Sequence, residues 1–574
     1  MAFQLSPGVN VSEIDLTTVV PSVSTTAGAF AGDFVWGPAG KVKLITHETE
    51  LVNLFGQPSA NAQQSNTATS FFTAASFLAY GNNLQVVRAV SSNSKNATAN
   101  TGTGANTSVG YQLKNEDSYD YIVVNDTPTL NTALFIARYP GDIGNSLKVS
   151  TCVAGNTAAF TSWTYNNLFS TAPSTSAYTS KVNGANDQIH IVVVDEDGLI
   201  SGEKNTVLET FGFLSLASDG SYDDGSSAYL SNVIRDRSKY LYVGNTSLIT
   251  ANAGQIASNT NFSPSTNTVQ NFSFVGGTYE TASDANLVSA VDLFANVDEV
   301  DISLFVSGGV TTTVQQRIIN TAISRKDCVA FISPPKSAVV NNAGNEVTSI
   351  ASWFSSLGIA TTYAVADSGW KYMFDKYNNT YRWIPLNGDI AGICVRTDDT
   401  RDPWFSPAGY SRGGIKNVVK LAWNPNKTQR DYLYQSAVNP VISAPGQGTL
   451  LFGDKTLTLQ PSAFSRINVR RLFIVLEKAI ANASKYSLFE MNDEFTRSQF
   501  VGLIEPFLRD VKGRRGIYDY RVVCDETNNT AQVIDNNQFV GDIYIKPARS
   551  INFIQLNFVA VRTGVNFSEI VGGV

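Results

Sequence analysis

Apolar and polar positions alternate at both ends of the chain, with nearly the same residues. Val9-Asn-Val11-Ser-Glu-Ile14 near the start is almost repeated by Val565-Asn-Phe567-Ser-Glu-Ile570 near the finish. Strict alternation is the pattern of a strand with one buried face. A lone strand of this length is unstable in water, so each end must add to a sheet built elsewhere. Two apolar runs just before the second copy, 541–545 and 551–561, are joined by a turn containing Pro547 and read as such a sheet. Gly8 and Gly564 lie at the bases of the two ends, where they can absorb the backbone change of a hinge. On this pattern the chain is a subunit that joins neighbours through residues 1–22 and 565–574.

Between the ends the period changes. Strands are expected at 27–35, 42–45 and 84–90, with helices ending at Phe55 and at Tyr80. Thr46 can cap the first helix, and Gly56 suits the position just past its end. A polar stretch from 93, rich in Ser, Thr, Asn and Gly, leads into a β-rich region with candidate strands at 121–124, 134–138, 147–152 and 189–194. From 284 to 366 helices and strands alternate, which implies parallel pairing with right-handed crossovers. The last module holds a strong helix over 462–485 and a second over 492–512, which Pro506 should kink or split. Strands at 518–524 and 532–534 follow. The expected fold is mixed α/β and multidomain. An α/β body (23–92 and 195–400) carries an inserted β-rich domain (93–194), and an α+β C-terminal module (401–564) follows.

Composition narrows the function classes. Of 574 residues 43% are hydrophobic, as in a globular chain, and 16% are charged, which is on the low side. No apolar run approaches the roughly 20 residues of a membrane span. The N-terminus has neither a basic nor an apolar leader segment, so folding in a cytoplasm is expected. Cys152, Cys328, Cys394 and Cys524 are far apart, without zinc spacing, and are expected as buried or half-buried thiols. There are only two histidines, His47 and His190, so the usual acid/base and metal residue is scarce. Residues 401–574 hold 21 Lys and Arg against 15 Asp and Glu, whereas the first 400 hold 20 against 33. A basic face that meets an acidic partner, or ordinary solvated charge, would give this asymmetry. Dense basic runs with interleaved aromatics are absent, so no nucleic-acid partner is expected.

Catalytic and ligand motifs fail on inspection. The Gly32–Gly37 spacing lacks the lysine of a phosphate loop, and no Gly-x-Ser-x-Gly elbow occurs. Asp195-Glu-Asp197-Gly reads as an acidic turn, since calcium-loop spacing is absent. The carboxylates at 398, 399 and 402 can form an acid/base pair or a salt-bridged loop. No catalytic residue, metal or cofactor is assigned. An α/β enzyme with a β accessory domain would need a polar pocket at the strand ends, where Ser307-Gly308-Gly309 and Ser333 fall. A surface-layer or adhesin shell protein would need an export signal.

Several stretches, in order, carry a resemblance: PGVNVSEID (7–15), VWGPAG (35–40), RKDCVAFISPP (325–335), DPWFSPAGYSRGGI (402–415), GQGTLLFGDKT (446–456), SAFSRINVRRLF (462–473), GIYDYRVVCDETNN (516–529) and GDIYIKPARSINFIQLNFV (541–559). Together they resemble the contractile tail sheath proteins of T4-like myovirus bacteriophages. The resemblance implies a virion tail component, assembled in the host cytoplasm. Its subunits would form hexameric rings wound helically around a tail tube protein, between baseplate and tail terminator proteins. The C-terminal module would lie innermost, and the 93–275 region outermost. Val9, Val11, Ile14, Val565, Phe567 and Ile570 would enter neighbouring sheets. Arg466, Arg470 and Arg471, close together on one helix, would face the tube or pair within the module with Glu477, Asp493 or Glu494.

Overall fold

The computed structural model describes residues 24–99, 111–125, 133–263, 268–552 and 554–556. The expected arm residues Gly8, Val9, Val11 and Ile14, and Gly564, Val565, Phe567 and Ile570, lie outside them.

The body is built on a seven-stranded sheet. Its spatial order is Val438–Asn439, Ala364–Asp367, Val329–Ile332, Leu304–Val306, Gly28–Asp33, Leu84–Ala89 and Val42–Ile45. All neighbours are parallel except the last pair. Burial on both faces explains why these strands read as continuous apolar runs. Ala29, Phe305, Ala330 and Ala366 point into one core, with helices Asp284–Asp292, Thr312–Arg325 and Glu346–Leu357. Phe30, Leu304, Phe331 and Val365 point into the other, with helices Ser65–Leu78 and Asn387–Thr400. Side chains alternate across the sheet as the two-residue period requires.

Residues 95–278 leave and re-enter this body through a narrow neck, where Lys95 bridges Thr278 and Thr98 bridges Val275. Beyond the neck lies a four-stranded antiparallel sheet, ordered Val269–Ser273, Leu147–Val153, Gln188–Asp195 and Thr206–Ser215. A smaller sheet joins Thr98–Ala99, Phe135–Ala137 and Leu241–Val243. The expected return to the parent domain at 195 is therefore corrected. Residues 206–215 pair with 188–195, and 269–273 pair with 147–153. Arg88 fixes the neck from below. It is 1% exposed and donates to the carbonyls of Phe34, Gly37 and Pro140 at 2.7–2.9 Å. Burial lowers its pKa to about 10.

Other elements also differ from the pattern. The β-prone Tyr121-Ile-Val-Val run lies in helix Glu116–Asn125, because Tyr119 packs flat on Tyr242 at 4.2 Å. Tertiary stacking outweighs the local strand preference. The candidate strand at 532–534 is the short helix Ala531–Asp535. Pro506 does not split helix Glu494–Gly513. Pro506 and Gly502 are both exposed, so the carbonyl that loses its donor faces water. The body also reaches past 401, because Val438–Asn439 extends its sheet and Leu457 enters its core. A two-residue strand is too short to show a period.

Candidate assembly site in the C-terminal module

Helix Ile467–Ser484 begins the module, preceded by a 3-10 turn at Ala463–Ser465 whose cap is Ser462. Helix Glu494–Gly513 packs beside it, started by Asp493, whose carboxylate accepts from the Thr496 N–H at 2.8 Å. Their core holds Leu472, Leu476, Phe500, Ile504 and Leu508. One face of a hairpin, Ile517–Val523 and Asp542–Pro547, closes it.

The hairpin has two strands and no further neighbour among the described residues. Tyr520 opposite Ile545 and Val522 opposite Ile543 point toward the core. Arg521 opposite Tyr544 and Asp519 opposite Lys546 point away, and Tyr518 and Tyr544 are mostly exposed. Two strands alone are marginal, and among the described residues neither edge is paired with another strand. The run after Pro547 forms no strand where it is described. Ile551, Ile554 and Leu556 are 82%, 77% and 70% exposed. A second exposed apolar group lies in the loop between the helices, Tyr486, Leu488, Phe489 and Met491, with Phe495 in the first turn of the second helix. Phe489 is fully exposed with φ 69°, a conformation bulky residues avoid.

The three arginines singled out from the sequence are held by internal partners. Arg471 forms a two-pronged pair with Asp398 at 2.5 and 2.8 Å, both side chains about 95% buried. It also reaches the Thr25 carbonyl at 3.5 Å, next to the first described residue, and Ser303 donates to the Ser24 carbonyl at 2.9 Å. Arg470 is buried between the rings of Tyr363 and Phe464, 4.3 and 4.1 Å from their centres. Arg466 donates to Asp454 at 2.9 Å and to the Tyr434 hydroxyl, and keeps 24% of its side chain exposed. Arg471 and Arg466 pair with Asp398 and Asp454 rather than with Glu477, Asp493 or Glu494, whereas Arg470 has Glu477 as a nearby opposite charge.

Asp454 is the knot at the other chain end. Besides Arg466 it accepts from Tyr434 and Ser406 at 3.1 Å, Ser550 at 2.8 Å and Asn552 at 3.0 Å. Burial opposes its charge, but Ser550, Arg466, Asn552 and Ser406 together hold its pKa below the usual carboxylate range. One helix thus anchors both chain ends, through Arg471 to residue 25 and through Arg466 and Asp454 to residues 550–552. Asp454 lies in the stretch 446–456 that carries the resemblance, but nothing in that stretch marks it as a partner of Arg466.

The strand-end groups named for an enzyme come together, but inside the protein. Ser333 donates to Asp367 at 2.6 Å, and Asn387 bonds Gly308 in both directions at 2.9 and 3.0 Å. The side chains of Ser333, Asp367 and Asn387 are buried and hydrogen-bonded to one another or to Gly308. Burial pushes Asp367 up to about 8, although Ser333 and Gly369 donate to it. Asp195 accepts from Ser146, Gly198, Ile200 and Ser201, so the acidic turn is closed on itself. Asp398 and Asp402 meet Arg471 and Arg514, the salt-bridged reading of that segment. His47 is exposed and His190 lies buried in a strand. The four cysteines are buried and free. Among the described residues, no cluster of three or more His, Cys, Asp or Glu could hold a metal, and no helix is long and apolar enough to cross a membrane.

Comparison with known proteins decides what this module belongs to. Residues 460–560 match the phage tail sheath C-terminal domain, 280–457 the phage tail sheath protein central domain, and 25–89 the N-terminal region of tail sheath protein Gp18 domain III. The tail sheath protein of Enterobacteria phage T4 is 36% identical, over 99% of this chain and 99% of its own. That of Vibrio phage KVP40 is 34% identical, over 99% of this chain and 100% of its own. The chain belongs to the phage tail sheath proteins. The sheath subunit shares its fold with the sheath tail protein Lin1278 of Listeria innocua, which covers 92% of this chain and 93% of its own at TM-score 0.55 and 10% identity. The boundary between the central and C-terminal matches, at 457–460, follows the last strand of the seven-stranded sheet, Val438–Asn439, and the core residue Leu457.

Proposed function

We propose that this sheath subunit polymerises around a tail tube as stacked hexameric rings. The polymer contracts and drives the tube through a host envelope. The C-terminal module faces the tube, and the domain beyond the 95–278 neck faces outward. Residues 1–22 and 565–574 extend into neighbouring subunits, with Val9, Val11, Ile14, Val565, Phe567 and Ile570 as side chains in their sheets. Gly8 and Gly564 act as hinges that keep subunits joined while the bodies slide and turn. Baseplate and tail terminator proteins bound the polymer, which is assembled in the host cytoplasm as part of the virion tail. Its work is mechanical, without catalysis.

The observation that carries this reading is the open two-stranded hairpin, Ile517–Val523 with Asp542–Pro547, set in the same module that anchors both chain ends. Strand addition supplies main-chain hydrogen bonds, and alternate side chains find pockets. Contacts that repeat head to tail without closing generate a helical polymer. Removal of residues 1–15 tests it. The truncated protein should stay folded and soluble but fail to polymerise; unchanged assembly would overturn the role given to the N-terminal end.

A further inference from the structure

His190 lies far from the assembly site, in the domain beyond the neck. It is fully buried, on the face of strand Gln188–Asp195 that also carries Val192 and Val194. Both ring nitrogens are engaged. Nδ1 accepts from the Phe213 N–H at 3.0 Å, and Nε2 donates to the Thr171 carbonyl at 2.9 Å. A main-chain N–H only donates and a carbonyl only accepts, so the neutral ring with its proton on Nε2 satisfies both. Phe169 lies flat on the imidazole at 4.2 Å, and Phe213 meets it edge-on at 4.6 Å.

The ring holds two features together. On one side is a bulge. The pairing of 188–195 with 206–215 slips between Ile189 and Ile191, and Phe213 there has φ 56°, a strained backbone for an aromatic residue. On the other side is a cap, residues 157–171, laid over the sheet. Trp163 stacks on Phe169 at 5.5 Å and donates to Ser150 at 2.8 Å, above Cys152, Val192 and Val194.

A second proton on the ring would set N–H against N–H at Phe213 and place a charge among aromatic rings. The charged groups of the packed elements are turned away or already paired. Residues 149–180, which include the cap, contain no Asp, Glu, Lys or Arg; their titratable side chains are Cys152, opposite His190 in the next strand, Tyr165 and Tyr178. Strand Val269–Ser273 carries no charge. Lys148, at the far end of Leu147–Val153, pairs with Glu196 at 3.0 Å. Glu209 stands opposite Val193, on the other face, and accepts from Ser238. Asp195, on the strand of His190 itself, accepts from Ser146 and Ser201. Burial accordingly lowers the His190 pKa. We propose that His190 is an acid-operated latch, whose protonation frees the 157–171 cap from the sheet and uncovers Trp163 with the face formed by Cys152, Val192 and Val194. The freed ring takes up a proton near its ordinary value of about 6.5, which the latched ring resists. Opening is therefore favoured as pH falls below that value, by at most about tenfold per pH unit for one proton.

The test is hydrogen exchange of the full-length protein, read by peptide mass between about pH 7.5 and pH 5 and corrected for the intrinsic pH dependence of exchange. Protection of 157–171 should hold above about pH 6.5 and fall by up to about tenfold per unit below it, while strands of the seven-stranded sheet stay unchanged. His190→Gln keeps a donor and an acceptor but does not titrate, so its cap protection should be flat. Phe169→Leu removes the ring stacked on the imidazole and should move the loss to higher pH. Flat protection in the wild type, or the same loss in His190→Gln, overturns the latch. Loss shared equally by all of 95–278 would be unfolding of the domain and overturns it as well. Should His190→Gln not fold, the wild-type profile and Phe169→Leu decide, because a profile that Phe169→Leu leaves in place also contradicts the proposal.

Discussion

Arg471→Met isolates the joint between the C-terminal module and the body. Arg471 and Asp398 are among the most buried charges that link these two parts, and they meet by two hydrogen bonds at 2.5 and 2.8 Å. Removal of the guanidinium leaves a carboxylate at the C-terminal end of helix Asn387–Thr400, where the helix dipole also disfavours negative charge. Loss of one partner from a buried pair costs about 3–5 kcal/mol. Replacement of both partners by apolar groups of similar size removes the uncompensated charge and is often neutral. Arg471→Met should lower the melting temperature of the C-terminal transition by on the order of 10 °C. Arg471→Met with Asp398→Leu should recover most of the loss. Calorimetry of the unassembled protein at neutral pH reads both. A single variant within about 0.5 kcal/mol of wild type, or a double variant as unstable as the single, would refute the view that this pair couples module and body.

Further consequences follow from individual residues. The Asp367 pKa is raised to about 8, so the folded protein retains a proton that the unfolded chain has released above about pH 4. Stability should fall between about pH 4 and pH 8, by at most about 1.4 kcal/mol per unit, and Asp367→Asn should flatten that slope in urea titrations. Phe489 is fully exposed among the described residues and occupies left-handed backbone space, so Phe489→Gly should raise thermal stability by about 0.5–1 kcal/mol; a loss would mean the side chain is held. Arg88→Lys should cost roughly 3 kcal/mol or more, because one ammonium cannot reach the carbonyls of Phe34, Gly37 and Pro140 that the guanidinium spans. Faster hydrogen exchange at residues 95–98 and 275–278 would accompany that loss.

The body was legible because its strands are buried on both faces and its helices carry clear stripes. Leu287, Val291 and Phe294 lie inside as their spacing requires, and the strands at 304–306 and 329–332 fall within the stretch where helices and strands were expected to alternate. The extent of the insertion was not legible, because Thr206–Ser215 mixes Thr, Glu and Gly with its apolar residues and owes its place to pairing with Gln188–Asp195. Helix Glu116–Asn125 was misread for a similar reason: its register is set by Tyr242, more than a hundred positions away. At the assembly site the arginines and the run 541–545 were visible in sequence, but the pairing expected between 541–545 and 551–561 is replaced by Ile517–Val523 with Asp542–Pro547. The partner of Arg471 was not visible, since Asp398 lies 73 positions away.

Electron microscopy of the purified full-length protein tests the central claim most directly. A sheath subunit whose ends complete neighbouring sheets should form rings or long tubes without any other component. Small discrete particles at every concentration and salt condition would contradict that account.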